Sequence, residues 1–106
     1  MESKLYKFKE PWYAVERSSY IDELQKEIRF NPKHPLRGAN VHAVAATSQN
    51  DDVLFEFEEP YNSEFQFVVV HLTWAAKETN PAYPHCEFYK DFEEFSRERM
   101  QPEFNE

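Results

Sequence analysis

The longest apolar run in the chain is Phe65-Gln66-Phe67-Val68-Val69-Val70-His71-Leu72-Thr73-Trp74. Its β-branched and aromatic content marks a central strand. Alternation sends Phe65, Phe67, Val69, His71 and Thr73 to one face and Val68, Val70, Leu72 and Trp74 to the other, so both faces are partly apolar. Upstream, Val53, Phe55 and Phe57 alternate with Leu54, Glu56 and Glu58, which predicts a strand over about Asp52–Glu58. A shorter alternation of small residues predicts another over about Ala39–Thr47, joined to it by the turn Ser48–Asp51.

Helical spacing occurs twice. Ser19 and Asp22 form a capping pattern ahead of Tyr20, Leu24 and Ile28, predicting a helix over about Ser19–Arg29 with Glu23, Lys26 and Glu27 facing water. Asp91 and Glu94 open a second, over about Asp91–Met100, with Phe92, Phe95 and Arg99 or Met100 inward and Pro102 as its stop. Between Ala75 and Tyr89 no period is sustained and prolines recur, so a long ordered loop is expected there. The order α-β-β-β-α, with Lys4–Trp12 available as an added edge strand, predicts one α+β domain spanning residues 1–106. Its expected form is a two-layer sandwich with a three- or four-stranded antiparallel sheet.

The chain of 106 residues carries ten Phe, six Tyr and two Trp, enough aromatic bulk for a single core, and only one Gly. Its formal charge is −8, and no Lys or Arg occurs between Gly38 and Ala76. That field disfavours nucleic acid and anionic membranes, which need cations to meet phosphates, and suits a basic protein partner. One cysteine, Cys86, precludes an intramolecular disulfide and fits a reducing compartment. Without a signal-like segment or a run of about 20 apolar residues, the expected location is the cytoplasm. Oligomeric state is not legible.

A histidine inside a central strand asks for a partner, because an unpaired buried imidazole is costly. His71 lies toward the strand's end, where it can reach the sheet rim. It reads either as a neutral imidazole bonded to a carbonyl or a nearby carboxylate, or as a catalytic base with Asp52 and His34. His85 and Glu78 are further members of such a site. No H-E-x-x-H, cysteine pair or comparable ligand spacing is present, so no metal or cofactor is assigned. His85 and Cys86 are adjacent and face apart in an extended segment, which argues against an activated thiolate. Glu56 and Glu58 read as a solvated strand face. With Tyr61, Tyr83 and Trp74 they outline a surface for a protein partner.

Taken together, His34-Pro35-Leu36-x-Gly38, Asp51-Asp52-Val53-Leu54-Phe55 and Val69-Val70-His71-Leu72-Thr73-Trp74 resemble the pattern of a family of small bacterial proteins without an established activity. The similarity runs from about His34 to Met100, including Pro84-His85-x-Glu87-Phe88-Tyr89. It implies a shared fold and carries no chemistry. Two functions are consistent with these features, the first preferred and the second its alternative. One is a non-enzymatic protein-interaction module, immunity- or antitoxin-like by analogy of charge alone. The other is a small hydrolase, metal-dependent or built on a His/Asp pair, centred on His71.

Overall fold

The computed structural model describes residues 6–29, 34–72 and 85–104. Five strands form one antiparallel sheet in the order β1-β2-β3-β4-β5: β1 Trp12–Ala14, β2 Val41–Thr47, β3 Asp52–Tyr61, β4 Phe65–His71 and β5 His85–Tyr89. Helix α1 (Ile21–Arg29) leaves β1, and a helical segment follows β5: α2 (Phe92–Phe95), a widened π turn over Ser96–Met100 and α3 (Gln101–Phe104). Among the described residues no helix is long and apolar enough to cross a membrane.

This corrects the expected α-β-β-β-α sandwich in two respects. The first is strand count. β5 falls inside the stretch read as a loop, where Pro81 and Pro84 mask the short alternation His85-Cys86-Glu87-Phe88-Tyr89. Its strand character comes from pairing, with Phe67 opposite Tyr89 and His71 opposite His85 on β4. β1 is also real, but begins at Trp12, where the expected edge strand was to end, and its three residues are too few to show a period.

The second is layering. Leu24 and Ile28 of α1 pack with Ala43, Val53, Phe55, Phe57, Val68 and Val70 on one face. Phe95 and Met100 pack with Val44, Leu54, Phe67, Val69 and Trp12 on the other. The sheet is therefore covered by helix on both sides, because β3 and β4 offer apolar side chains in both phases and neither face can be left in water.

Two irregularities set which residues face where. In β2 the register shifts between Ala43 and Ala45, so that Val44 and Ala45 both reach the α2 side, as a β-bulge allows. In β3 the pairing jumps between Glu56 and Tyr61, and Pro60, which has no ladder donor, lies in that interval. The β3–β4 hairpin closes through Asn62 and Ser63, both at positive φ, with the Glu64 amide donating to the Tyr61 carbonyl at 3.0 Å.

The helices also depart from expectation. Tyr20 is not in α1 but precedes it, at φ 64°. Glu23 and Glu27 are buried at 8% and 3% exposure rather than facing water. Arg37 and Gly38 share a cleft with Asp22, Glu23 and Lys26, so the chain after His34 comes up beside that face of α1. Lys26 Nζ lies 3.2 Å from Glu23 Oε1 and compensates its charge. Pro102 does not end the C-terminal helical segment. The wide turn of Ser96–Met100 comes directly before it, with the Gln101 amide bonded to the Ser96 carbonyl, which relaxes the ladder where a proline ring meets the preceding turn.

Candidate functional site

Asp52 opens β3, His71 closes β4 and His85 opens β5, and the antiparallel register sets Asp52 opposite His71 and His71 opposite His85. By strand alternation all three project to the face that carries α2, with Glu87 two residues after His85. A row of titratable side chains thus crosses three strands at one end of the sheet. They line a cleft of about 550 Å³ with Asp51, Val69, Leu72, Glu87 and Arg99.

The hydrogen bonds run in one chain. His71 Nδ1 lies 2.7 Å from Asp52 Oδ1. Arg99 Nη2 donates to Asp52 Oδ2 at 2.6 Å and Nη1 to Glu87 Oε1 at 2.8 Å. Tyr89 donates its hydroxyl to the same Glu87 oxygen at 3.0 Å. The guanidinium carbon of Arg99 stands 5.5 Å from the Trp12 ring centre, a cation–π contact to β1. His85 Nε2 lies 3.7 Å from Glu87 Oε2, a charge contact beyond hydrogen-bond length. Burial, followed by the bond to Glu87, raises the ionisation of Tyr89 well above the usual phenol value.

Asp52 and Arg99 are largely buried, with 12% and 15% of their side chains exposed, whereas His71 keeps 50%. The carboxylate of Asp52 accepts from the imidazole Nδ1–H. Nδ1 is then the donor and Nε2 carries the lone pair, in the half of the ring that reaches the cleft. Nε2 has no partner among the described residues.

His34, the third expected member, is elsewhere. It is buried on the α1 side of the sheet, where its Nδ1 accepts from the Leu36 amide at 3.1 Å and its Nε2 lies 3.6 Å from Cys86 Sγ. Because Nδ1 is an acceptor, the neutral ring carries its proton on Nε2 and offers no base to the thiol. Burial pushes the Cys86 thiol up to about 12, with the charge of Glu87 adding to the effect. A histidine and a cysteine in contact are here a core pair. Cys86 and His85 face apart, as expected of neighbours in a strand.

Of the expected partner surface, Glu56 and Tyr61 are half-buried and Glu58 is exposed. Tyr61 stacks on Phe57 and Phe88 at ring distances of 5.3 and 5.0 Å. Glu56 accepts from Tyr6 at 3.1 Å and from Gln66 at 2.7 Å. His42 stands between Glu56 and Glu58, its Nε2 and Nδ1 at 3.0 and 2.8 Å from their oxygens, and Arg17 approaches Glu58 at 3.3 Å. Tyr83, Trp74 and Glu78 lie outside the described residues.

Arg99, Glu87 and His42 went unassigned as site residues from sequence. Glu87 had a local signal, its phase with His85. Arg99 reaches Asp52 across 47 positions, and nothing near it in the chain announces that contact. Its position depends on the π turn, which brings Arg99 and Met100 together onto the sheet side below Phe95. Among the described residues no group of three His, Cys, Asp or Glu side chains is placed to hold a metal ion. No family model, no curated protein and no solved structure matches this chain.

Proposed function

We propose that the rim cleft is the functional site and that His71 acts there as a proton-transfer base on water or on a substrate hydroxyl, the step a small His/Asp hydrolase requires. The supporting observation is the 2.7 Å contact between His71 Nδ1 and Asp52, with the other ring nitrogen left to the cleft. A carboxylate behind an imidazole fixes its tautomer and orientation and stabilises the imidazolium that forms on proton uptake. Here the carboxylate is itself held by Arg99, and the backbone that carries it by the Asp52 amide, which donates to Asn50 Oδ1 at 2.9 Å. Such support behind the reacting group is what precise positioning needs. His85, 61% exposed and opposite His71 on the next strand, is the residue we assign to return a proton to a leaving group.

The partner-binding alternative draws on Glu56 and Tyr61, which are half-buried and engaged by Tyr6, Gln66, Phe57 and Phe88, and on the exposed Glu58, which is paired with His42, and so receives less support than the dyad. The test is hydrolysis of chromogenic esters, amides and phosphodiesters by the wild type, His71→Asn and Asp52→Asn. One class is turned over, and each substitution lowers the rate by about 100-fold or more, the usual scale for a lost general base. Turnover that survives His71→Asn, or no turnover of any class, removes the proposal.

A further inference from the structure

A larger cleft lies beside α1, on the other side of the sheet from the His71 rim. It has a volume of about 820 Å³, and its lining includes Asp22, Glu23, Lys26 and Ile28 of the helix with Arg37 and Gly38 of the chain after His34. Glu23 is only 8% exposed. Lys26 Nζ takes up its Oε1 at 3.2 Å, whereas Oε2 is buried and has no hydrogen-bond partner. Among the described residues it is the one buried side-chain nitrogen or oxygen left in that state.

An ionised carboxylate oxygen can only accept, so Oε2 calls for an N–H or O–H donor. Leaving a buried acceptor unpaired is costly, and a position with no task beyond packing is better filled by an apolar side chain. The oxygen is screened from bulk solvent, so the donor that satisfies it must enter the cleft.

The loop wall of the same cleft asks for the opposite chemistry. Arg37 is exposed, and its guanidinium makes no ion pair or hydrogen bond among the described residues. Beside it Gly38 stands at φ 82°, with nothing within 4 Å of the place a Cβ would occupy, so a ligand can come close to its backbone. A guanidinium presents a planar fork of donors that fits a carboxylate. The charges of Asp22 and Glu23 are offset by those of Lys26 and Arg37, so a ligand bearing one charge of each sign adds no excess. A simple amine or a phosphate dianion does.

We infer that the α1 cleft binds a small zwitterion of the amino-acid class, its ammonium group donating to Glu23 Oε2 and its carboxylate held by Arg37 beside the Gly38 backbone. The described lining residues of this site are all distinct from those of the His71 cleft, and the inference stands independently of the hydrolase reading.

Gly38 is the single glycine of the chain, so its amide is a unique NMR reporter after selective 15N-glycine labelling. Glycine, β-alanine, γ-aminobutyrate and 6-aminohexanoate are titrated at constant pH and ionic strength, with n-butylamine, butyrate and O-phosphoethanolamine as controls. At least one amino acid shifts the Gly38 resonance saturably, and the length that binds best measures the span between Glu23 and Arg37. The controls bind at least about tenfold more weakly, since each lacks one charge or carries one too many. Arg37→Gln lowers the affinity for that amino acid about tenfold. Glu23→Gln lowers it as much and abolishes the preference for the amino acid over butyrate, a selectivity that a merely structural glutamate would not govern. Thermal melts establish that both variants are folded, and Arg37→Gln, at an exposed position, supplies the decisive reading if Glu23→Gln is not. No saturable shift with any amino acid, butyrate or butylamine binding as tightly as the amino acids, or undiminished binding in Arg37→Gln overturns the inference.

Discussion

Two histidine–carboxylate clusters sit on the same face of this sheet and hold their imidazoles differently. At one, His42 is held between Glu56 and Glu58 by both ring nitrogens, with 14% of its side chain exposed. At the other, His71 is held by Asp52 through one nitrogen and is half exposed at a cleft. An imidazole with both nitrogens engaged joins elements together: His42 ties β2 to β3, while Tyr6 and Gln66 reach the same Glu56. An imidazole with one nitrogen held and the other turned to a cavity can exchange a proton with something that enters. Carboxylate neighbours alone do not distinguish a clasp from a base. The second nitrogen does. His34, buried with both nitrogens used inside the core, extends the same rule to the opposite face.

The sharpest way to test this contrast is to remove the cation behind the dyad. Arg99→Met leaves Asp52, 88% buried by its 12% exposure, and Glu87 without their guanidinium, so the fold loses about 3 kcal/mol in chemical denaturation, on the scale of a broken buried pair. His71→Asn, at a half-exposed position, costs less than about 1 kcal/mol. Equal losses from the two substitutions erase the distinction between support and reacting group.

A smaller effect separates the clasp by its pH dependence. The hydrogen bond from His42, aided by its charge and that of Arg17, holds the Glu58 carboxyl below its usual value of 4.5. A depressed folded value means that the unfolded chain binds the proton more readily. The contribution of Glu58 is therefore present above pH 4.5 and lost as the pH falls through the lowered folded value. Urea melts over a pH series show wild type more stable than Glu58→Gln near neutrality and the two converging in acid. A constant gap across the series contradicts a charged clasp.

The smallest signal belongs to the core pair. With its ionisation pushed up to about 12, the Cys86 thiol stays protonated through neutral pH, and iodoacetamide modifies it far more slowly at pH 8 than it modifies the unfolded chain. Labelling of the folded protein at the unfolded rate makes His34–Cys86 an accessible thiol instead of a packed contact. It also overturns the grouping of His34 with the held imidazoles.

Legibility from sequence follows the range of the interactions involved. The phase of β4, the rim position of His71 and the side occupied by Asp52 are all set by alternation over a few residues, and each is readable from the chain. The α1 helix is readable for the same reason, apart from its first turn, where Tyr20 takes a left-handed backbone instead of the first helical position. The burial of Glu23 and Glu27 is not readable, because it depends on the chain after His34 arriving beside α1. Nor is β5, whose five residues become a strand by pairing with β4.

What the amino-acid sequence determined alone is the set of local phases: which residues alternate, where the turns fall, and that an imidazole lies toward the end of one strand while an acid starts its neighbour. Those are consequences of backbone geometry with periods of two and 3.6 residues. The tertiary structure alone decided which helical segment covers which face, and it brought Arg99 across 47 positions to Asp52. It also placed His34 on the far side of the sheet from His71. Such contacts depend on how both apolar faces of one sheet are removed from water at once, a requirement of the whole chain that no local window contains.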